Sequence, residues 1–259
     1  MTGGGSYADG LLGNDRPEER ARLACIQDGV DGFTQQTLLG LGLAPGWTCL
    51  DVGAGAGSVA RWLAGYCTEG DVVAVDVDTS LLGAAPEPRL TVRRADVTAE
   101  SFRPGRFDLV HARFVLCHLP DRDAVLARAA SWLRPGGWLV VTDPYQLPAQ
   151  TSPFPSVTRL MHAYDAAHAA VGADLTWSRR VPSLLARAGL RDIGFAARPS
   201  CLGNGLRDRW RPLLDGVAPQ MIDSGSVGAE DLAAFHTDLD DPGFIDIPQL
   251  TLAVWGRLP

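Results

Sequence analysis

Residues 48–64 read TCLDVGAGAGSVARWLA, and the fold follows from this stretch. A short apolar run closing on Leu50, Asp51 and Val52 has the composition of a buried parallel strand. Gly53, Ala54, Gly55, Ala56 and Gly57 then leave almost no side chain in the turn. The spacing of Val59, Trp62 and Leu63 predicts a helix next, with Ser58 as its cap. Glycines at such a turn accept positive φ and let a ligand reach the backbone, while the first N–H groups of the helix lack partners within it. Strand, glycine turn and helix start in that order make a nucleotide site.

Two cofactors compete for it. From Gly55 the segment also satisfies the dinucleotide pattern G-x-G-x-x-G/A through Gly57 and Ala60, so a NAD-dependent oxidoreductase is one reading. Asp51 argues against it, because a carboxylate just before the turn repels a pyrophosphate and attracts a ligand that carries an ammonium and a sulfonium. LDVGAGAG, residues 50–57, resembles the first motif, D-x-G-x-G-x-G, of the class I S-adenosylmethionine (SAM) methyltransferases. The resemblance implies an α/β fold: a Rossmann-like, seven-stranded, mostly parallel sheet with helices on both faces and helical cap insertions. It implies SAM as cofactor and S-adenosylhomocysteine (SAH) as product, with Asp51, Gly53, Ala54, Gly55 and Gly57 at the cofactor.

The rest of the chain agrees with an enzyme of this size. Its 259 residues suit one domain with a cap, and 46% hydrophobic with 20% charged residues is ordinary for a globular protein. The net charge of −7, with all 23 basic residues being Arg, leaves no basic footprint, so nucleic acid and anionic membranes are not expected partners. Neither a signal peptide nor a membrane-length apolar run is evident. The five cysteines, Cys25, Cys49, Cys67, Cys117 and Cys201, are scattered without metal-ligand spacing, so no metal is expected and a reducing cytoplasm fits.

Five further segments carry candidate site residues. Residues 1–45 resemble the helical segment that lies over SAM in small-molecule methyltransferases, which places Tyr7 and Gln27 at the cofactor. The core spans 46–143. Within it DVVAVDVD, residues 71–78, predicts a second buried strand. Asp76, with Val77 beside it, ends that strand about 20 residues past the glycines, where a carboxylate accepts both hydroxyls of a ribose. Asp78 is expected to cap a helix around Leu81 and Leu82. The resemblance puts Asp96 at the adenine amine and the Val97 N–H at a ring nitrogen, a sound donor and acceptor match. Ala112 and Arg113 end a fourth strand, and their backbone is expected at the methionine end of SAM, with His118 beyond in a structural role. The turn 133–137, LRPGG, ends a helix and leads into a fifth strand at 138–142. Cap insertions follow at 144–177 and 200–247, while 178–199, with a sixth strand at 192–196, and 248–259 complete the sheet.

Methyl transfer from SAM requires alignment, exclusion of water and, for a protonated nucleophile, a base. His162 is the leading candidate base, ahead of His168, His236, Asp143 and Tyr145. Phe154, Met161, Tyr164, Trp177, Trp210 and Phe235 suggest a pocket for a small apolar acceptor, plausibly a specialised natural product, or else ordinary core. A homodimer is compatible with this reading. A methyltransferase-like protein that binds SAM without transferring a methyl group is the second alternative.

Overall fold

The computed structural model describes residues 17–83, 87–203 and 210–259. Helix α1 (Pro17–Gly40) precedes β1 (Cys49–Val52), α2 (Ser58–Tyr66), β2 (Val72–Asp76), β3 (Leu90–Arg94) and β4 (Phe107–Arg113). Then come α3 (Arg122–Ala130), β5 (Leu133–Gln146), α4 (Pro155–Ala170), α5 (Val181–Arg187), β6 (Arg191–Gly203), α6 (Trp210–Asp223), α7 (Ala229–Asp240) and β7 (Ile245–Arg257). The seven strands form one sheet in the order β3-β2-β1-β4-β5-β7-β6. β1 to β5 pair in parallel, and β7 runs antiparallel between β5 and β6. This is the expected mostly parallel fold. It departs from the all-parallel dinucleotide order 3-2-1-4-5-6 at the β7 insertion.

All four residues of β1 are buried, as a central parallel strand with both faces covered requires. On one face Leu50, Val52, Val110, Leu139 and Val141 pack against Val125 and Leu126 of α3 and Val181 and Leu185 of α5. On the other, Cys49, Leu109 and Val140 meet Val59 and Leu63 of α2 and Leu38 of α1. A third cluster joins Leu160 and Met161 of α4, Leu214 and Met221 of α6, and Phe235 of α7 to Leu202 of β6. The cap helices thus share a core of their own, anchored on the outer end of the sheet.

Several local expectations change. β6 extends to Gly203 rather than ending at residue 196, because the thirteen residues of β7 supply a partner out to Ile245. α3 stops at Ala130, before Pro135, and residues 133–137 lie inside β5. Asp78 caps no helix: among the described residues 77–83 there is only a turn, in which its Oδ1 accepts the Ser80 N–H at 2.9 Å. Met161, Trp177, Trp210 and Phe235 are all fully buried, so these side chains are core.

Candidate cofactor and acceptor site

The glycine turn lies at the carboxyl end of β1, where the strand order reverses between β1 and β4, the place where open α/β sheets take ligands. Gly53, Gly55 and Gly57 have φ of 64°, 54° and 81°, all in the left-handed region that side-chain-bearing residues avoid. Each bare Cα has a different neighbour. A Cβ on Gly53 would stand 2.2 Å from Val115 Cγ2, so this glycine seats the loop leaving β4. A Cβ on Gly55 would meet only Leu23 of α1, at 3.8 Å, so the first helix passes over the turn at van der Waals distance. Gly57 is the N-cap of α2; Ser58 does not cap, and its hydroxyl donates to Asp31 Oδ1 of α1 at 3.0 Å.

The ends of the neighbouring strands supply the polar groups. The N–H groups of Gly53 and Ala54 donate to the Val75 carbonyl at 2.8 and 3.1 Å, which holds the turn to β2. Asp76 accepts the Gly55 N–H on Oδ2 at 2.8 Å and the Asp78 N–H on Oδ1 at 3.1 Å. Burial raises its pKa, and these backbone donors pull it back. Val77 is half-buried, its carbonyl taken by Arg94 Nε at 2.9 Å. Asp96 is exposed, with Oδ1 accepting the N–H and hydroxyl of Thr98 at 2.8 and 2.7 Å. Val97 beside it is buried.

Asp51 and Arg113 take positions that their sequence neighbourhoods do not show. β1 and β4 place Asp51 opposite His111, and the two are 2.8 Å apart through Oδ1 and Nδ1. Asp51 is only 3% exposed, so the expected open carboxylate at the turn is corrected to one already engaged behind it. Arg113 follows buried Ala112 at the end of β4. Its guanidinium donates to Asp31 Oδ1 at 2.7 Å, Thr34 Oγ1 at 3.2 Å and Ser58 Oγ at 3.1 Å. One side chain therefore ties α1 to the start of α2 and the end of β4. Gln27 is half-buried on α1, and Tyr7 lies outside the described residues.

The loop after β4 is fixed from below. Asp143 of β5, fully buried, accepts the N–H groups of Val115 at 3.2 Å and Cys117 at 3.0 Å. Burial pushes its carboxyl up to about 7, yet its oxygens face this loop, so Asp143 is a staple rather than the expected base candidate. His162, the leading candidate base, is exposed on α4, whereas Met161, Tyr164 and His168 form the buried face of that helix. The structure does not bring it to the turn, because the helical period turns position 162 outward. His168 lies on the buried face of α4 beside His118: their ring centroids are 6.1 Å apart, and the Tyr164 ring is 4.2 Å from His168.

A family model described as a methyltransferase domain matches residues 50–141, from β1 into β5. The ubiquinone biosynthesis O-methyltransferase of Methylococcus capsulatus is 30% identical over 205 residues, which cover 74% of this chain and 77% of that protein. The chain belongs to the class I SAM-dependent methyltransferase family. Methyltransferase str3 of Strobilurus tenacellus is 38% identical over 127 residues, 48% of this chain and 45% of that protein, so the chain spans about half the length of that relative. The phosphoethanolamine N-methyltransferase 2 of Haemonchus contortus, solved with phosphomonomethylethanolamine and SAH, shares the fold with a TM-score of 0.56 at 17% identity. That likeness covers 96% of this chain and 55% of that one.

Within this family member, the residues that sequence reading passed over are those whose partners lie far away in the chain. Asp31, His111 and Val115 carry no motif of their own. Alternation along β4 was the available signal for His111, since Leu109, His111 and Arg113 share one face of the strand.

Proposed function

We propose that the chain is a SAM-dependent methyltransferase acting on a small-molecule acceptor in specialised metabolism. The observation that carries this reading is the turn itself: three left-handed glycines at the strand-order reversal, with the Asp76 carboxylate already gripping the Gly55 N–H. The residues present fit the cofactor. Gly55 and Gly57 leave backbone N–H groups and space at the start of α2, and Asp76 would hold the ribose hydroxyls. Asp96 and the Val97 backbone would hold the adenine, while the backbone of Ala112 and Arg113, with Ala54, Gln27 and Tyr7, would enclose the methionine end. Gly53 contributes by seating Val115, and Asp51 contributes negative charge behind the turn through its bond to His111.

When bound, SAM supplies an activated methyl group on sulfur. The chain must then hold the acceptor in line and keep water out. Leu23 over Gly55 and Val115 over Gly53 screen the turn from two sides, and the Arg113 clasp keeps α1 in place. Helices α1, α4, α6 and α7 form the roof over the acceptor, with His118 and His168 beneath it. Both imidazoles are neutral at physiological pH, because burial holds their pKa values down to about 3 and about 4.

Calorimetric titration with SAM, SAH and NAD tests the reading. Micromolar binding of SAM or SAH with none of NAD is the expected result, followed by a gain of one methyl group in an acceptor screen. Binding of NAD alone would refute it.

A further inference from the structure

Among the described residues, one carboxylate oxygen is buried with no hydrogen-bond partner: Oδ1 of Asp165, in the middle of α4. A buried acceptor left open destabilises the fold, so such an atom calls for an explanation beyond folding.

The helix sets Asp165 beside the carboxyl ends of the strands. Met161, four residues earlier, accepts the Gln146 Nε2–H on its sulfur at 3.3 Å, and Gln146 is the last residue of β5. His168, three residues later, lies beside His118 of the loop after β4, with ring centroids 6.1 Å apart. β4 and β5 are neighbouring parallel strands, and the glycine turn leaves the same end of the sheet. At about 1.5 Å and 100° per residue, Asp165 stands about 6 Å along the helix from Met161 and about 4.5 Å from His168, turned by about 40° and 60° from them. It therefore borders the face of α4 that looks onto the strand ends. The residue as a whole is half-buried, so its Oδ1 is turned inward from a rim that water still reaches.

The surroundings separate Asp165 from the other candidate bases. Burial lifts its carboxyl to about 7, whereas burial holds His118 and His168 down to about 3 and about 4, too low for an effective base near neutral pH. Asp143 is also lifted to about 7, but its oxygens accept the Val115 and Cys117 N–H groups. Charges on α4, α6 and α7 are engaged with one another: Arg159 with Asp231 at 3.2 Å, Arg211 with Asp240 at 3.0 Å, and His236 with Asp215 at 3.4 Å. A carboxylate in this apolar setting favours a neutral donor, since a hydroxyl loses less hydration on entry than an ammonium does.

We propose that Asp165 is a catalytic base and that the acceptor reacts through a hydroxyl group held on its Oδ1. This deepens the methyltransferase reading and rests on it. The hydroxyl oxygen forms the new bond to the methyl carbon with its own lone pair, and the electron pair of the methyl–sulfur bond stays on sulfur. The hydroxyl proton passes to Asp165 Oδ1, and from the half-exposed side chain to water as the product leaves.

Calorimetry on the full chain at pH 8, above the raised pKa, tests this first with SAH alone. The SAH-loaded protein is then titrated with 2-naphthol and with its methyl ether, 2-methoxynaphthalene, which share an apolar body and differ in the donor. The expected result is 2-naphthol at least about 10-fold tighter. Asp165→Ala should bring the pair to within about 2-fold of one another, and Asp165→Asn, a neutral acceptor, should leave less than about 4-fold. A base at the hydroxyl also makes bound 2-naphthol emit as naphtholate on excitation, and that emission should be lost in both variants. Thermal melts report that the variants fold. Equal affinities in the parent, absence of saturable naphthol binding, or an undiminished hydroxyl preference in folded Asp165→Ala would each overturn the proposal. Absence of SAH binding would refute the methyltransferase reading and the base role with it, while a hydroxyl preference that still depended on Asp165 would keep the hydroxyl site.

Discussion

Asp76 at the end of β2 and Asp165 in the middle of α4 are both half-buried carboxylates, and the molecule treats them differently. Asp76 sits where a strand gives way to a loop, and the N–H groups of Gly55 and Asp78 converge on it. Asp165 sits inside a helix, where the backbone donors are already spent on the helical ladder. Among the described residues its Oδ1 is buried without a hydrogen-bond partner, and burial pushes its pKa up to about 7. Strand ends and turns thus present unpaired backbone donors that can steady charge, while the interior of the cap presents none. The carboxyl end of the sheet can therefore steady charge, while the cap is held together by apolar packing.

The largest effect is expected at the turn. Gly55→Val places a branched side chain at a φ of 54° and fills the space under Leu23. SAM affinity should fall by more than about 100-fold in a protein that still melts cooperatively. Normal affinity would mean that the turn is not the cofactor site. The cap makes the opposite demand. The folded-state pKa of Asp165 is raised, so the stability it contributes is present below the ordinary carboxylate range and lost as pH rises through about 7. Asp165→Asn should therefore stabilise the protein at pH 8, by roughly 2 to 4 kcal/mol, with the gain vanishing toward pH 4. Urea unfolding across that range measures it, and a pH-independent difference would show that the carboxylate has a partner after all.

Smaller effects sharpen the same contrast. Asp76→Ala should weaken SAM by about 1.5 to 3 kcal/mol while leaving the affinity for acceptor nearly unchanged. Arg113→Gln should weaken SAM by about 3- to 10-fold, because it unclasps α1 from Asp31 and Ser58 without altering the turn. His162→Ala should leave kcat/KM within about 2-fold of the parent, since the side chain stands exposed on α4. A large loss there would bring position 162 into the site and require the cap to rearrange.

How much could be read beforehand follows the same division. The glycine turn and the Asp76 carboxylate were legible because each rests on neighbours in sequence: a glycine run, a strand of known period, a carboxylate at its end; the seven-stranded sheet came from the family resemblance, and its strand order only from the structure. Ser58 misled, because Gly57 caps α2 and frees the hydroxyl for Asp31, 27 residues earlier. His162 misled for a similar reason. Two histidines on one helix, His162 and His168, carry no local mark of which ring faces inward, and only the packing of α4 against α6 and α7 picks His168.

Sequence alone determined the strand–turn–helix unit at residues 48–64 and the acidic end of β2, since backbone conformation and hydrophobic period are local properties of the chain, and its family resemblance added the Rossmann-like sheet. Tertiary structure alone decided that Asp51 pairs with His111, that Arg113 clasps α1, and that His118 and His168 meet. Those contacts join residues from 50 to 82 positions apart. They depend on strand register and on which helix faces are buried, quantities that exist only once the sheet and its cap have packed.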